Sequence, residues 1–215
     1  MYLFALDWQR DNRSKLMIPG DATMENNETL LILALLLTAL IFWLTVLRPK
    51  AIAAEAARAE ARKRLRAERD DLLARIRSEV PGFILRARNE FEQEYQSKGS
   101  STFFGQEMSP LLCFGYRVGT ARGRSESDRR AILTYCLAVD FDATLNFLPS
   151  DYLAEWGAPM SVQRFNRIYN HLTSRADIQD GRANHAVAVQ HWRDDASWFH
   201  EAKIADVQRF RALPI

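Results

Sequence analysis

Cysteine is scarce: Cys113 and Cys136 are the two in 215 residues. That excludes a disulfide-dense secreted scaffold and denies a four-cysteine zinc site its ligands. No C-x-x-C, H-E-x-x-H or G-x-S-x-G spacing occurs. The usual sequence marks of thiol redox, zinc-protease and serine-hydrolase chemistry are therefore missing. An excess of one charge is missing too. Lys and Arg number 29 against 27 Asp and Glu, for a net charge of +2, too small to argue for a nucleic-acid binder. With 9 glycines, 7 prolines, 47% hydrophobic and 26% charged residues, the chain is neither collagen-like nor wholly disordered. There is no internal repeat at a solenoid period.

What the chain does have is one long apolar run. Residues 30–47 read LLILALLLTALIFWLTVL without a charged side chain. As a helix it spans roughly 27 Å, just short of a hydrocarbon core of about 30 Å. Thr38 and Thr45 can return their hydroxyls to the helix backbone. Trp43 lies near the basic end, where an indole N–H meets headgroups. Arg48 and Lys50 can snorkel to make up the missing length. A cleaved signal sequence would open with positive charge and close with small residues. Here Glu25 and Glu28 precede the run and Arg48-Pro49-Lys50 follows it, which predicts a retained single span.

Basic residues set the orientation. Segment 1–29 carries Arg10, Arg13 and Lys15. Segment 48–78 carries ten basic residues, among them Arg48, Lys50, Arg62, Lys63 and Arg64, against five acidic ones. The C-terminal side is thus expected in the cytoplasm and residues 1–29 outside it. Residues 1–23 are either a small surface or membrane-skimming piece, or the chain proper starts at Met24. Both cysteines would then sit in reducing solvent as packed thiols.

Residues 48–99 read as a basic juxtamembrane helical stalk. Its first part is rich in Ala, Arg, Glu and Leu, which are strong helix formers. Glu60 and Arg64 form an i, i+4 pair. Leu72, Leu73, Ile76 and Val80 begin an apolar stripe, Pro81-Gly82 interrupts it, and Phe83, Ile84, Ala87, Phe91 and Tyr95 resume it. No sustained heptad supports a strict coiled coil. Three uses stand for the basic residues: a solvated stalk obeying the positive-inside rule, contact with anionic lipid headgroups through Arg48, Lys50, Arg62, Lys63 and Arg64, and contact with nucleic acid.

Residues 105–204 form the stretch expected to hold an independent core, followed by a tail at 205–215 that is frayed or docked through Phe210 and Leu213. Gly115, Gly119 and Gly123 punctuate its opening; they lack the spacing of a phosphate loop or a dinucleotide fingerprint and read as turn positions. Ser125 and Asp128 give a helix start. Gly157-Ala158-Pro159 is a turn, and Ser161 caps a helix whose stripe is Phe165, Ile168, Tyr169 and Leu172. Arg164, Arg167, Asn170 and His171 occupy other positions. The last long helix is expected from about Arg182 past Phe199.

Candidate chemistry is thin. His191 with Asp194 or Asp195 makes a two-ligand fragment, and a zinc site needs more, so no metal or cofactor is expected. Cys136 sits on an apolar stripe and reads as a packed thiol. The best polar cluster is Arg117, Arg122, Arg124, Arg129 and Arg130, partly in a loop ahead of a helix start, a reasonable geometry for an anion.

Several pieces together resemble a small helical domain found at the C-terminus of uncharacterised bacterial proteins. They are F-G-Y-x-V-G at 114–119, Arg129-Arg130 with Ile132-Leu133, E-W-G-x-P-x-S at 155–161, the Arg164–Leu172 helix and A-x-x-x-W-x-x-D-x-x-W at 188–198. The resemblance spans roughly 110–202. It implies a bacterial inner-membrane setting and carries no activity. In it Trp192, Asp195 and Trp198 read as a structural clasp, with Asp195 bonded to a buried donor such as an indole N–H or an arginine. The fold expected is mainly α: a single span, a basic stalk and a compact helical domain. The leading role is a membrane-tethered interaction or adaptor module with an unknown protein partner, homo-oligomerisation included. The alternatives are a membrane-held anion or nucleic-acid binding module, and an enzyme without a recognisable motif.

Overall fold

The structure, a computed structural model, describes residues 22–98, 108–211 and 213. The reading of residues 1–21 lies outside the described residues. Among the described residues the fold is entirely helical, with no strand. Two compact units divide the chain, 1–58 and 59–215.

In the first unit, α1 (Ala22–Phe42) passes through a widened π turn (Trp43–Leu47) into α2 (Arg48–Ser78). Pro49 accounts for the widening. It has no N–H to donate, and its ring would clash with the carbonyl one turn back in a regular helix. From Thr29 to Arg58 every residue is exposed except half-buried Val46. Polar groups in the apolar stretch are met within the helix: the Thr38 hydroxyl donates to the Ala34 and Leu35 carbonyls at 3.0 and 2.9 Å, and Thr45 to Ile41 at 2.6 Å. That internal satisfaction is what a hydrocarbon environment demands. The Arg48 guanidinium folds back over the Trp43 ring at 5.9 Å. This is one helix long and apolar enough to cross a membrane.

The second unit is a helical bundle: the rest of α2, α3 (Gly82–Lys98), α4 (Pro110–Cys113), α5 (Glu126–Ala138), α6 (Phe141–Thr144), α7 (Ser150–Ala154), α8 (Val162–Gln179), a 3-10 turn (Ala183–His185) and α9 (Ala186–Phe210). Side-chain caps start its helices. Ser109, Ser125 and Ser161 accept from the backbone N–H three residues on, and Asp140 accepts from Asp142 and Ala143. The core is built on Ile84, Phe114, Ile132, Leu133, Phe141, Ile168, Leu172 and Phe199, all fully buried. Phe165 of α8 stacks on Phe199 of α9 with ring centres 5.1 Å apart.

Two boundaries differ from the sequence expectation. The distinct stalk at 48–99 and separate domain at 105–204 are not what is observed. Leu73 of α2 and Ile84 and Tyr95 of α3 are buried in the same core as α5–α9, with Leu65, Leu72, Ile76 and Val80 packed against it. The reason is the apolar stripe itself. A helix with that many large side chains on one face is stabilised by about 1.5–3 kcal/mol for each one fully buried, so it docks. At the other end α9 runs to Phe210, and Val207, Phe210 and Leu213 are buried. Arg209 reaches Glu68 of α2 at 2.5 Å.

Candidate functional site

The chain from Phe114 to Arg124 is a loop pinned at its base and at its middle. The Arg124 N–H donates to the Arg117 carbonyl at 3.0 Å. The Arg124 Nε donates to the Gly115 carbonyl at 2.7 Å, and the Gly119 N–H donates to His191 Nδ1 at 3.2 Å. Gly115 sits at φ +82°, a conformation that favours glycine. Gly123 is required by close approach, since a Cβ there would lie 2.0 Å from the Gly119 carbonyl oxygen.

Beneath the loop lies a buried polar network. Asp195 of α9 is fully buried. Its Oδ2 accepts from Arg129 Nε at 2.6 Å and from the Tyr116 hydroxyl at 2.7 Å, and its Oδ1 accepts from Arg129 Nη2 at 3.3 Å. Arg129 Nη1 donates to the Arg124 carbonyl at 2.9 Å. Burial pushes the guanidinium's pKa down, but hydrogen bonding and the charge of Asp195 outweigh it, and the net direction is upward. Burial, then the Asp195 charge, holds the Tyr116 phenol well above its usual range. The network joins α5, the loop and α9 as a charged, hydrogen-bonded strut.

The five arginines grouped by sequence are thereby divided. Arg129 is withdrawn from the anion-binding set because Asp195 holds it in the interior. Arg124 serves the Gly115 carbonyl and lies over the Phe83 ring at 4.7 Å. Arg130 pairs with Glu126 at 2.6 Å and covers the Trp198 ring at 5.1 Å. Arg117 and Arg122 remain. Both are exposed, and together with Leu112 they form the wall shared by two cavities of about 360 and 410 Å³. The smaller also has Arg175, His171 and Trp192 in its lining. The larger has Glu90 and Glu94. Lys98, and to a smaller extent Arg117, draws the Glu94 carboxyl below its usual pKa.

Of the three residues read as a clasp, Asp195 takes arginine and tyrosine donors, and neither indole donates to it. Trp192 lines the smaller cavity, and Trp198 carries Arg130 and Lys203 against its ring. His191 accepts from the Gly119 N–H, and the described residues hold no cluster of three or more metal-ligating side chains. Both cysteines are buried. Burial raises the Cys113 thiol to about 12 and Cys136 well above the ordinary value, the opposite of an activated nucleophile.

Sequence reasoning missed three residues. Tyr116 carries no signal beyond its place in F-G-Y-x-V-G. Arg164 was placed off the buried stripe, yet it is 2% exposed. Its guanidinium donates to the carbonyls of Gly157, Cys136 and Val139 and lies over the Phe141 ring at 3.7 Å. A cation there meets the orphan carbonyls at the end of α5. Its position one turn ahead of Ile168 and Leu172, on the same helix face, was the available signal. His171 was likewise set apart, and burial, with a smaller contribution from Arg167, lowers its pKa to about 4.

No family model, curated protein or solved structure matches the chain.

Proposed function

We propose that the protein is a single-pass, membrane-tethered interaction module of a bacterial inner membrane, with its N-terminus outside and its helical bundle on the cytoplasmic side. The observation that carries this reading is the exposed apolar stretch of α1 and the π turn, in which Val46 alone is half-buried between residues 30 and 47. Its thirteen Leu, Ile, Phe and Val residues between 30 and 47 favour insertion by about 5 kcal/mol in sum. Such a continuous apolar surface is not left in water. The orientation rests on the basic residues that follow, with Arg48, Lys50, Arg62, Lys63 and Arg64 offered to anionic headgroups.

The bundle is read as the part that recruits a protein partner, a second copy of the chain included. Ile178 and Val187 stand exposed on it, at 56% and 43%. A photo-crosslinking residue at either position is expected to trap a discrete adduct in native membranes, weakened when the chain is released from the membrane. Absence of any adduct from both positions and from neighbouring exposed sites would sink the adaptor reading. The division of the five arginines leaves no continuous basic stripe among Arg117, Arg122, Arg124, Arg129 and Arg130, which disfavours the nucleic-acid alternative. What Arg117 and Arg122 face is a cavity.

A further inference from the structure

We propose that the cavity of about 270 Å³ between the start of α8 and the end of α9 binds the anion of a medium-chain fatty acid. The hydrocarbon chain lies in the cavity and the carboxylate meets Arg69 and Arg211. The assignment does not rest on the adaptor reading, and every residue it uses lies in the second compact unit. Pro159, Met160 and Val162 bring apolar surface to the lining from the turn ahead of α8 and from its first residue. Phe210 and Leu213 bring it from the end of α9 and just beyond. Met160, Phe210 and Leu213 are buried members of the main core, so the cavity is set into the packing of the bundle. Each methylene fully buried on such walls strengthens binding about fourfold.

Met160 has the one positive φ of a non-glycine among the described residues, +56°. An L side chain is disfavoured there. The Met160 N–H donates to the Leu137 carbonyl at 2.8 Å, which holds the turn in place. Glycine would take this φ without strain. Methionine instead supplies a flexible thioether that moulds to an apolar guest. Strain kept beside a cavity points to a use for the side chain. The charges select the kind of guest. Arg69 of α2 and Arg211, just beyond α9, line the same cavity. Arg69 reaches Asp70 at 3.4 Å, longer than a well-made hydrogen bond, so that pair is weak. Two guanidiniums beside an apolar cavity complement an anionic head on a hydrocarbon tail, and a carboxylate matches the planar fork. The volume, near the lower end of small-molecule sites, suits one short acyl chain rather than a two-chain lipid.

The test uses the full chain purified in detergent at about pH 8, where a carboxylic acid is ionised. A diazirine-bearing decanoic acid is photolysed with it, and tandem mass spectrometry locates the label. The matching diazirine-bearing decanol is the uncharged control. Arg69→Ala with Arg211→Ala removes both charges. Arg211→Glu, at an exposed side chain that leaves the core untouched, is the second disabling variant. Arg86→Ala with Arg182→Ala, both exposed and off the lining, removes the same charge elsewhere. Saturable labelling by the acid at Met160, Val162 or Phe210 is expected, displaced by decanoate. It should weaken about tenfold in either disabling variant and stay unchanged in the control. Equal labelling of these residues by the decanol overturns the proposal, as does an equal loss in the control variant. So does label found only on α1, or no saturation up to about 1 mM.

Discussion

Asp195, Arg129 and Tyr116 illustrate what burial does to charged side chains. An ion pair with exposures of 4% and 0% gives up its hydration, and only complete hydrogen bonding offsets that loss. Replacing one partner is therefore worse than replacing both. Asp195→Asn is expected to lower stability by about 3–5 kcal/mol, because Arg129 keeps its charge without a counterion. Arg129→Met combined with Asp195→Leu is expected to recover most of that loss; denaturant titration of the detergent-solubilised chain measures both. His171 gives a pH signature. Its pKa is about 4 in the folded chain against 6.5 without the fold, so the unfolded chain takes up the proton first. Stability then falls as pH drops from about 6.5 to about 4. His171→Gln removes that component: the melting temperature of the native chain should fall by roughly 10 °C more than the variant's across this window. At this scale the sequence was partly legible. The W-x-x-D-x-x-W spacing singled out Asp195, but its partners come from 66 and 79 residues away, which no local pattern encodes.

At the scale of elements, local chemistry was a good guide wherever it was decisive. Ser125 and Ser161 start helices as their spacing requires, and Pro81-Gly82 separates α2 from α3. The apolar run is one helix, as its composition demands. The π turn was not foreseen, though Pro49 two residues beyond it supplies the cause. The reading of 48–99 as a distinct stalk is not confirmed, because part of it packs into the bundle core. The stripe of Leu72, Leu73, Ile76 and Val80 is plain in the sequence, but a stripe shows that a helix is covered without saying by what. The apolar helix, long enough to cross a membrane, yields a direct prediction. Leu36→Arg with Leu37→Arg places two guanidiniums near its centre, at about 2.5–3.5 kcal/mol each. That exceeds the favourable sum for the whole run, so the double variant should move from the carbonate-resistant membrane pellet to the soluble fraction. Retention in the pellet would show that something other than this helix anchors the chain.

The whole molecule is a bundle whose core draws on residues from Leu73 to Leu213, together with an exposed apolar helix that asks for lipid. The helical class, and a helix long and apolar enough to cross a membrane, were legible from periodicity and run length. The extent of the bundle was not, because Tyr95, Val207 and Leu213 are isolated apolar positions whose burial depends on helices far along the chain. The candidate site was less legible still. Five arginines close in sequence serve four different purposes once α5 and α9 fix their surroundings. The central claim is that a membrane-crossing helix holds this bundle on the cytoplasmic side. Both native cysteines are buried, so a cysteine introduced at exposed Ala202 reports location without interference. In intact bacterial cells expressing Ala202→Cys, a membrane-impermeant maleimide is expected to leave the chain unlabelled, and to label it once the membrane is opened. Full labelling of intact cells would contradict the account.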